Sequence, residues 1–170
     1  LHRDGKDVCF SESCIRDFQE YLKTRYSSLE ELNANWDAEH QDWLRITPVA
    51  LAELEAWKSD STKPKPSAGQ YARWVEHRMH MESVFADRHR RDLHVIQAVD
   101  PQARTGLDAI LGNCSSFAGI DFIKLFEFTT AFGPYVNPFK LQVGRSLASP
   151  DALLGCWVAG GYPHYRTQEY

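Results

Sequence analysis

The stretch IQAVDPQARTGLDAILG, residues 96–112, contains the change from a predicted helix to a predicted strand, and this change decides the fold. Residues 70 to about 98, which lead into it, carry apolar side chains at helical spacing and predict the longest helix of the chain. Asp100-Pro101 ends that helix, because the residue before a proline avoids helical backbone angles. Residues 104–110, which follow, are short and largely apolar, so they predict a buried strand.

Two further runs of this kind predict strands at residues 121–128 and 152–158, and residues 141–143 predict a short additional one. These runs do not alternate polar and apolar side chains, which is typical of strands that are buried on both faces. A helix followed by such strands indicates an α/β architecture with a parallel sheet. We therefore expect the three main strands to be adjacent and parallel, with the long helix packed outside them.

The first third of the chain has the pattern of shorter helices with polar caps. Ser11 or Ser13 can cap a first helix, and Ser27 or Ser28 can cap a second. Ser28 with Glu31, three positions later, fits a capping box, in which the two side chains satisfy backbone amides at a helix start.

A third helix is predicted over residues 49–58, because Pro48 is suited to the first turn of a helix. Residues 59–69 follow and hold Lys63-Pro64-Lys65-Pro66 among serine, threonine and glycine. That composition resists regular structure, so it predicts an exposed loop.

The composition of the chain limits the classes of function that it could have. The chain has 170 residues, 43% hydrophobic and 25% charged, with a formal net charge of −4, which is typical of a globular domain. The acidic balance argues against general nucleic-acid binding. No apolar run approaches the roughly 20 residues that a membrane-spanning helix needs, and we recognise no signal peptide. Four cysteines are too few to indicate a disulfide scaffold, so the cysteine content does not identify the cellular compartment.

The most specific motif lies in the first 50 residues. Cys9-Phe10-Ser11-Glu12-Ser13-Cys14 forms a cysteine-flanked turn, and a unit of serine, leucine, asparagine and tryptophan follows it. The members of that unit are Ser28, Leu29, Leu32, Asn33 and Trp36, with Trp43 and Ile46 further on. Together these residues resemble the segment after the fourth barrel strand in glycoside hydrolase family 42, the β-galactosidases. The resemblance is good over about residues 8–48 and continues more weakly beyond.

The resemblance implies a partial (β/α)8 TIM barrel with a helical insertion after strand four. Residues 1–69 would be that insertion, and residues 70–170 would hold the long helix with three to four barrel strands, as one incomplete barrel domain. The implied function is that of a retaining hydrolase for β-galactosides or related β-glycosides, with a carbohydrate as the binding partner. The chain would then be an internal fragment of the enzyme.

The resemblance also locates the two carboxylates that retaining hydrolysis needs. The acid/base glutamate of the family falls before or at Leu1, and no glutamate precedes Glu12. The strand that should carry the nucleophile corresponds to residues 153–157, which contain none. We therefore expect the isolated chain to be inactive. The alternatives are a carbohydrate-binding relative that has lost hydrolysis, and a helical interaction module whose tryptophans are only core.

Candidate site residues come from the predicted strand ends, where barrel enzymes assemble their sites. Glu127 lies between Phe126 and Phe128, and an apolar setting of this kind can raise the pKa of a carboxyl group for acid/base work. The alternative is a carboxylate paired with a nearby lysine or arginine. The residues predicted to contact substrate are Asp108, Asn113, Trp157, Tyr162 and His164.

Metal and cofactor binding are not expected. The family resemblance suggests a metal-binding cysteine cluster at Cys9 and Cys14, but Ser11 occupies the position of the middle cysteine. Two ligands are too few for structural zinc, so a disulfide or two free thiols is expected there. His77 and His80, with Glu76, predict a solvated face of the long helix, and residues 88–91 predict a basic surface patch.

Overall fold

The computed structural model describes residues 9–59, 62, 65–108, 120–133 and 138–155. Four helices come first: α1 (Glu12–Arg25), α2 (Leu29–Trp36), α3 (Leu51–Ser59) and α4 (Ala68–Gln97), with a 3-10 turn at Trp43–Arg45. Then follow β1 (Gly106–Asp108), α5 (Phe122–Phe126), β2 (Ala131–Gly133), α6 (Pro138–Leu147) and β3 (Leu153–Leu154). In the described part of the chain no helix is long and apolar enough to span a bilayer.

The chain divides into two compact units, and the division falls inside α4. The first unit holds the described residues up to Val84, with Ile120, and the second holds the remaining described residues. Helices make up the first unit, and the sheet with its two short helices makes up much of the second.

The predicted helix caps are confirmed at two positions. The Ser11 hydroxyl accepts a hydrogen bond from the backbone amide of Cys14 at the start of α1. Ser28 does the same for the amide of Glu31 at the start of α2, and the Glu31 carboxylate accepts bonds from Ser27. The third helix starts at Leu51, so Pro48 precedes its first turn and does not lie in it.

The core of the first unit consists of side chains from α1 and α2 and from the turn after them. Phe18 and Leu22 of α1 are buried with Leu32 and Trp36 of α2 and with Ile46. Three of them, Leu32, Trp36 and Ile46, carry the family resemblance. The motif residues therefore build the fold of this unit.

Gly69 allows the start of α4 to approach the end of α2. A Cβ atom at this position would lie 2.7 Å from the backbone oxygen of Asn35 and from the carbonyl carbon of Trp36. Real side chains do not tolerate that distance, so any larger residue would push the two helices apart.

The sheet has three parallel strands in the order β1-β2-β3. Gly106 of β1 pairs with Ala131 of β2, and Ala131 pairs in turn with Leu153 of β3. The predicted parallel sheet and α/β class are confirmed. Strands 104–110 and 152–158 are found in shortened form, over the part of each that the structure describes.

Two predicted strands are wrong. Residues 121–128 contain helix α5, because the Asp121 carboxylate caps it by accepting from the amides of Ile123 and Lys124. Residues 141–143 lie inside helix α6. The second strand is instead β2, where we predicted no strand. The packing of α4 outside the sheet stays a prediction.

Candidate functional site

The three strands end at one edge of the sheet, as parallel strands must. Asp108 is the last residue of β1 and pairs with Gly133, the last residue of β2. Residues of all three strands, among them Leu107, Phe132 and Leu153, line an open groove of about 310 Å³. Sites in parallel α/β structures form outside the carboxyl ends of the strands, so this edge is the candidate site of the second unit.

The backbone of Asp108 lies where the sequence predicted it, at a strand end. Four other predicted contacts, Asn113, Trp157, Tyr162 and His164, lie outside the described residues. Their roles in substrate binding stay predictions.

Glu127 does not end a strand. It is the C-cap residue of α5, so the reasoning that placed it at a strand terminus is wrong. Its carboxylate lies 3.2 Å from Nη2 of Arg90 on α4, and 59% of its side chain is exposed. The Arg90 guanidinium lies 4.9 Å from the centre of the Phe128 ring and also pairs with Asp87. The geometry is that of the alternative we left open, a carboxylate held by an arginine.

Phe126, the neighbour of Glu127, serves the core. Its ring stacks on the ring of Phe132 at 3.9 Å between centroids, which fixes α5 against β2. Both rings are buried. Of the two aromatic residues that flank Glu127, Phe126 therefore connects a helix to the sheet, and Phe128 lies beside the Arg90 guanidinium.

The sequence did not predict a buried polar cluster on α4. Glu76, His77, Arg78 and His80 are all buried, so the predicted solvated face is wrong. Tyr26 donates its hydroxyl to Glu76 Oε1, and Trp36 donates its indole N–H to the same oxygen at 3.4 Å. Burial, and then the bond to Glu76, raise the pKa of Tyr26 to about 12. Phe18 and Tyr21 of α1 were the signal in the sequence, because an aromatic helix face needs a packing partner, and His77 and His80 of α4 supply it.

His77 and His80 pack among the aromatic rings of α1. The His77 ring lies 5.1 Å from that of Phe18 and 5.3 Å from that of Phe10, and no part of it is exposed. Burial, and then the charges of Arg78 and His80, lower the pKa of His77 to about 3.

His80 lies beside a carboxylate of α1. Its Nε2 lies 3.2 Å from Oδ2 of Asp17. Burial lowers the pKa of His80, and the Asp17 carboxylate opposes that shift. At neutral pH the His77 imidazole is therefore uncharged.

The cysteine turn contains a disulfide. Cys9 and Cys14 are bonded, with their Cα atoms 6.1 Å apart. Of the two alternatives that the sequence left open there, the structure shows the disulfide. Within the described ranges, no three His, Cys, Asp or Glu side chains are grouped in a way that could hold a metal ion.

The comparisons with known proteins include a match to a family model. A model of the glycoside hydrolase 42 family, described as β-galactosidase, matches residues 3–97. The matched range includes the cysteine turn, the core of the first unit and helix α4. No curated protein and no solved structure matches the chain.

Proposed function

The chain belongs to glycoside hydrolase family 42, the β-galactosidase family, and on that basis we propose that it is part of a retaining hydrolase for β-galactosides or related β-glycosides. The family match over residues 3–97 is the observation that carries this proposal. The substrate is then a carbohydrate whose glycosidic bond lies between two carboxyl groups about 5 Å apart.

The sheet supports a barrel as the framework. In a (β/α)8 barrel each strand is parallel to the next strand in sequence and lies beside it. The order β1-β2-β3 has this property, and α5 and α6 are the connections. We propose that these are three of the barrel strands, that residues 70–170 hold them with the long helix, and that residues 1–69 are an insertion after strand four.

The catalytic pair is incomplete in this chain under the proposal. The family's acid/base glutamate would precede Leu1. The strand that we matched to the family's nucleophile strand is β3. Residues 153–157 read LLGCW and contain no carboxylate, so a hydrolase would have to take its nucleophile from a different strand of the longer protein. The chain alone would then contribute part of the sugar-binding site and would not hydrolyse the sugar.

The absence of a glutamate in residues 153–157 also favours a second candidate function. A family member that lacks the nucleophile cannot form the covalent glycosyl-enzyme intermediate. Such a protein would bind β-glycosides and not cleave them. The groove along the three strands would serve either function.

The test uses the longest reading frame that contains these residues. We expect it to hydrolyse an aryl β-galactoside, with the β-anomer as the first product in a proton NMR time course, because double displacement retains configuration. Calorimetric binding of the disaccharide with no turnover would support the binding protein instead. Neither binding nor turnover on a panel of β-glycosides would contradict both functions.

A further inference from the structure

The Cys9–Cys14 disulfide closes a short loop across the beginning of α1. Cys9 precedes the cap residue Ser11, and Cys14 lies in the first turn, five positions after Cys9. Cys9 is exposed and Cys14 is half-buried. A reagent in solution can therefore reach this bond, unlike a disulfide inside a core.

The loop that the disulfide closes contains Phe10. The Phe10 ring packs edge-on against the buried ring of His77, and 37% of Phe10 is exposed. Phe18 contacts the same imidazole from within the core. Phe10 is thus an outer cover on His77, with solvent on its far side.

The residues before and after Phe10 are each held in place by a further bond. On one side Cys9 is tied to Cys14, and on the other the Ser11 hydroxyl caps α1. Cys9 has φ of 25°, a left-handed conformation that costs free energy in any residue with a side chain. Without the disulfide Cys9 would relax from this conformation, and the position of Phe10 would no longer be fixed.

We propose that Cys9–Cys14 is a thiol–disulfide exchange site, and that its reduction releases Phe10 and uncovers His77. The co-reactant is a small thiol of the glutathione class. Its thiolate attacks the exposed Cys9 sulfur, forms a mixed disulfide and releases Cys14 as a thiolate, which takes up a proton. A second thiol attacks the mixed disulfide. The protein gains two thiols, and the two small thiols leave as their disulfide.

The position of Cys14 suits a leaving thiolate. It lies in the first turn of α1, where the backbone amides and the helix dipole stabilise negative charge. Glu12 in the same turn opposes this effect. The exchange site is independent of the proposed hydrolytic function, because it needs neither a sugar nor the carboxylate pair.

The experiment equilibrates the protein in glutathione redox buffers, traps free thiols by alkylation and identifies the peptide by mass spectrometry. This separates Cys9 and Cys14 from Cys114 and Cys156. The accessibility of His77 is measured in the same samples from its rate of carbethoxylation by diethylpyrocarbonate. His94, an exposed histidine of α4, is the internal standard.

We expect the pair to convert reversibly between disulfide and dithiol, and reduction to raise the His77 rate about tenfold or more relative to His94, as for a local opening. The double variant Cys9→Ser/Cys14→Ser should show the fast rate in any buffer. Phe10→Ala should show it with the disulfide intact. Circular dichroism should keep its helical signal throughout.

Two results would overturn the proposal. One is a His77 rate that stays unchanged in the reduced protein and in the serine double variant. The other is loss of the helical signal on reduction, which would make the disulfide a structural cross-link. If Phe10→Ala does not fold, the serine double variant alone decides the outcome.

Discussion

His77 shows how one residue can depend on contacts that its own sequence neighbourhood does not reveal. It is flanked by Glu76 and Arg78, and a polar surface was the natural expectation. Packing against Phe18 overrides that pattern, because the apolar face of α1 needs a partner and the imidazole supplies a ring. Among the described residues, both of its ring nitrogens lack a hydrogen-bond partner. This arrangement favours the uncharged imidazole, since protonation would leave a charge buried.

The protein should lose stability as pH falls below 6.5. The pKa of His77 is about 3 in the folded protein against 6.5 for a free histidine, so the unfolded chain binds the proton first. The free energy of unfolding then decreases by up to about 1.4 kcal/mol per pH unit between these values. Urea unfolding at pH 7.5 and at pH 5 measures this change in the free energy of unfolding. His77→Leu should reduce the difference between the two pH values.

His94→Leu is the matched control, because His94 is exposed on the same helix. It should leave the pH dependence unchanged. Burial also lowers the pKa of His80 and His40, so part of the dependence will persist in His77→Leu. An identical pH dependence in His77→Leu and in the unsubstituted protein would contradict the account of His77.

Glu127→Gln tests the residue that the sequence put forward for catalysis. An acid/base residue would lower turnover by at least about 100-fold when replaced. Because Glu127 is exposed and paired with Arg90, we expect turnover of the longer protein to stay unchanged. The stability loss should stay below about 1 kcal/mol, as for other surface ion pairs. A 100-fold fall in kcat at unchanged stability would restore the catalytic role.

At the scale of elements, sequence reading succeeded where caps and spacing agree. Ser11 and Ser28 cap helices as predicted, and the buried positions of α1 and α2 follow the helical period. It failed at residues 121–128 because Phe122, Leu125 and Phe126 also fit helical spacing. A short apolar run cannot be assigned to helix or strand from its period alone. The cap at Asp121 was the signal that could have decided it.

Asn33 fixes the turn after α2. Its Nδ2 donates to the backbone oxygen of His40, and its Oδ1 accepts from the backbone amide of His40, both at 2.8 Å. Asn33→Ala would leave both backbone groups without this partner, so we expect a loss of about 1–3 kcal/mol in the free energy of unfolding.

Asn35→Ala is the matched control for Asn33→Ala on the same helix. Asn35 is exposed, and its side chain donates to the backbone oxygen of Glu31 in the preceding turn. Alanine favours the helix, so this variant should change stability by less than about 0.5 kcal/mol. Chemical denaturation compares the two variants, and equal losses would show that the turn does not depend on Asn33.

At the scale of the whole molecule, the family could be recognised from the sequence and is confirmed over residues 3–97. The reason is physical: the residues that carry the resemblance, such as Leu32 and Trp36, are core residues whose spacing the fold fixes. The parallel sheet was also predictable, from short apolar runs without polar alternation. The burial expected of these strands is found at Phe132, whereas Leu153 is 59% exposed. The site could be predicted only in part, because Glu127 was placed on the wrong element and the cluster around His77 depends on packing between helices.

We proposed that this chain of glycoside hydrolase family 42 is part of a longer hydrolase and lacks a complete catalytic pair. The most direct test of this proposal is the rate of aryl β-galactoside hydrolysis by residues 1–170, measured beside the longer reading frame under identical conditions. The account predicts turnover by the longer protein and none by residues 1–170, because retaining hydrolysis needs both carboxylates at fixed separation. Turnover by residues 1–170 that one carboxylate substitution within them abolishes would contradict it.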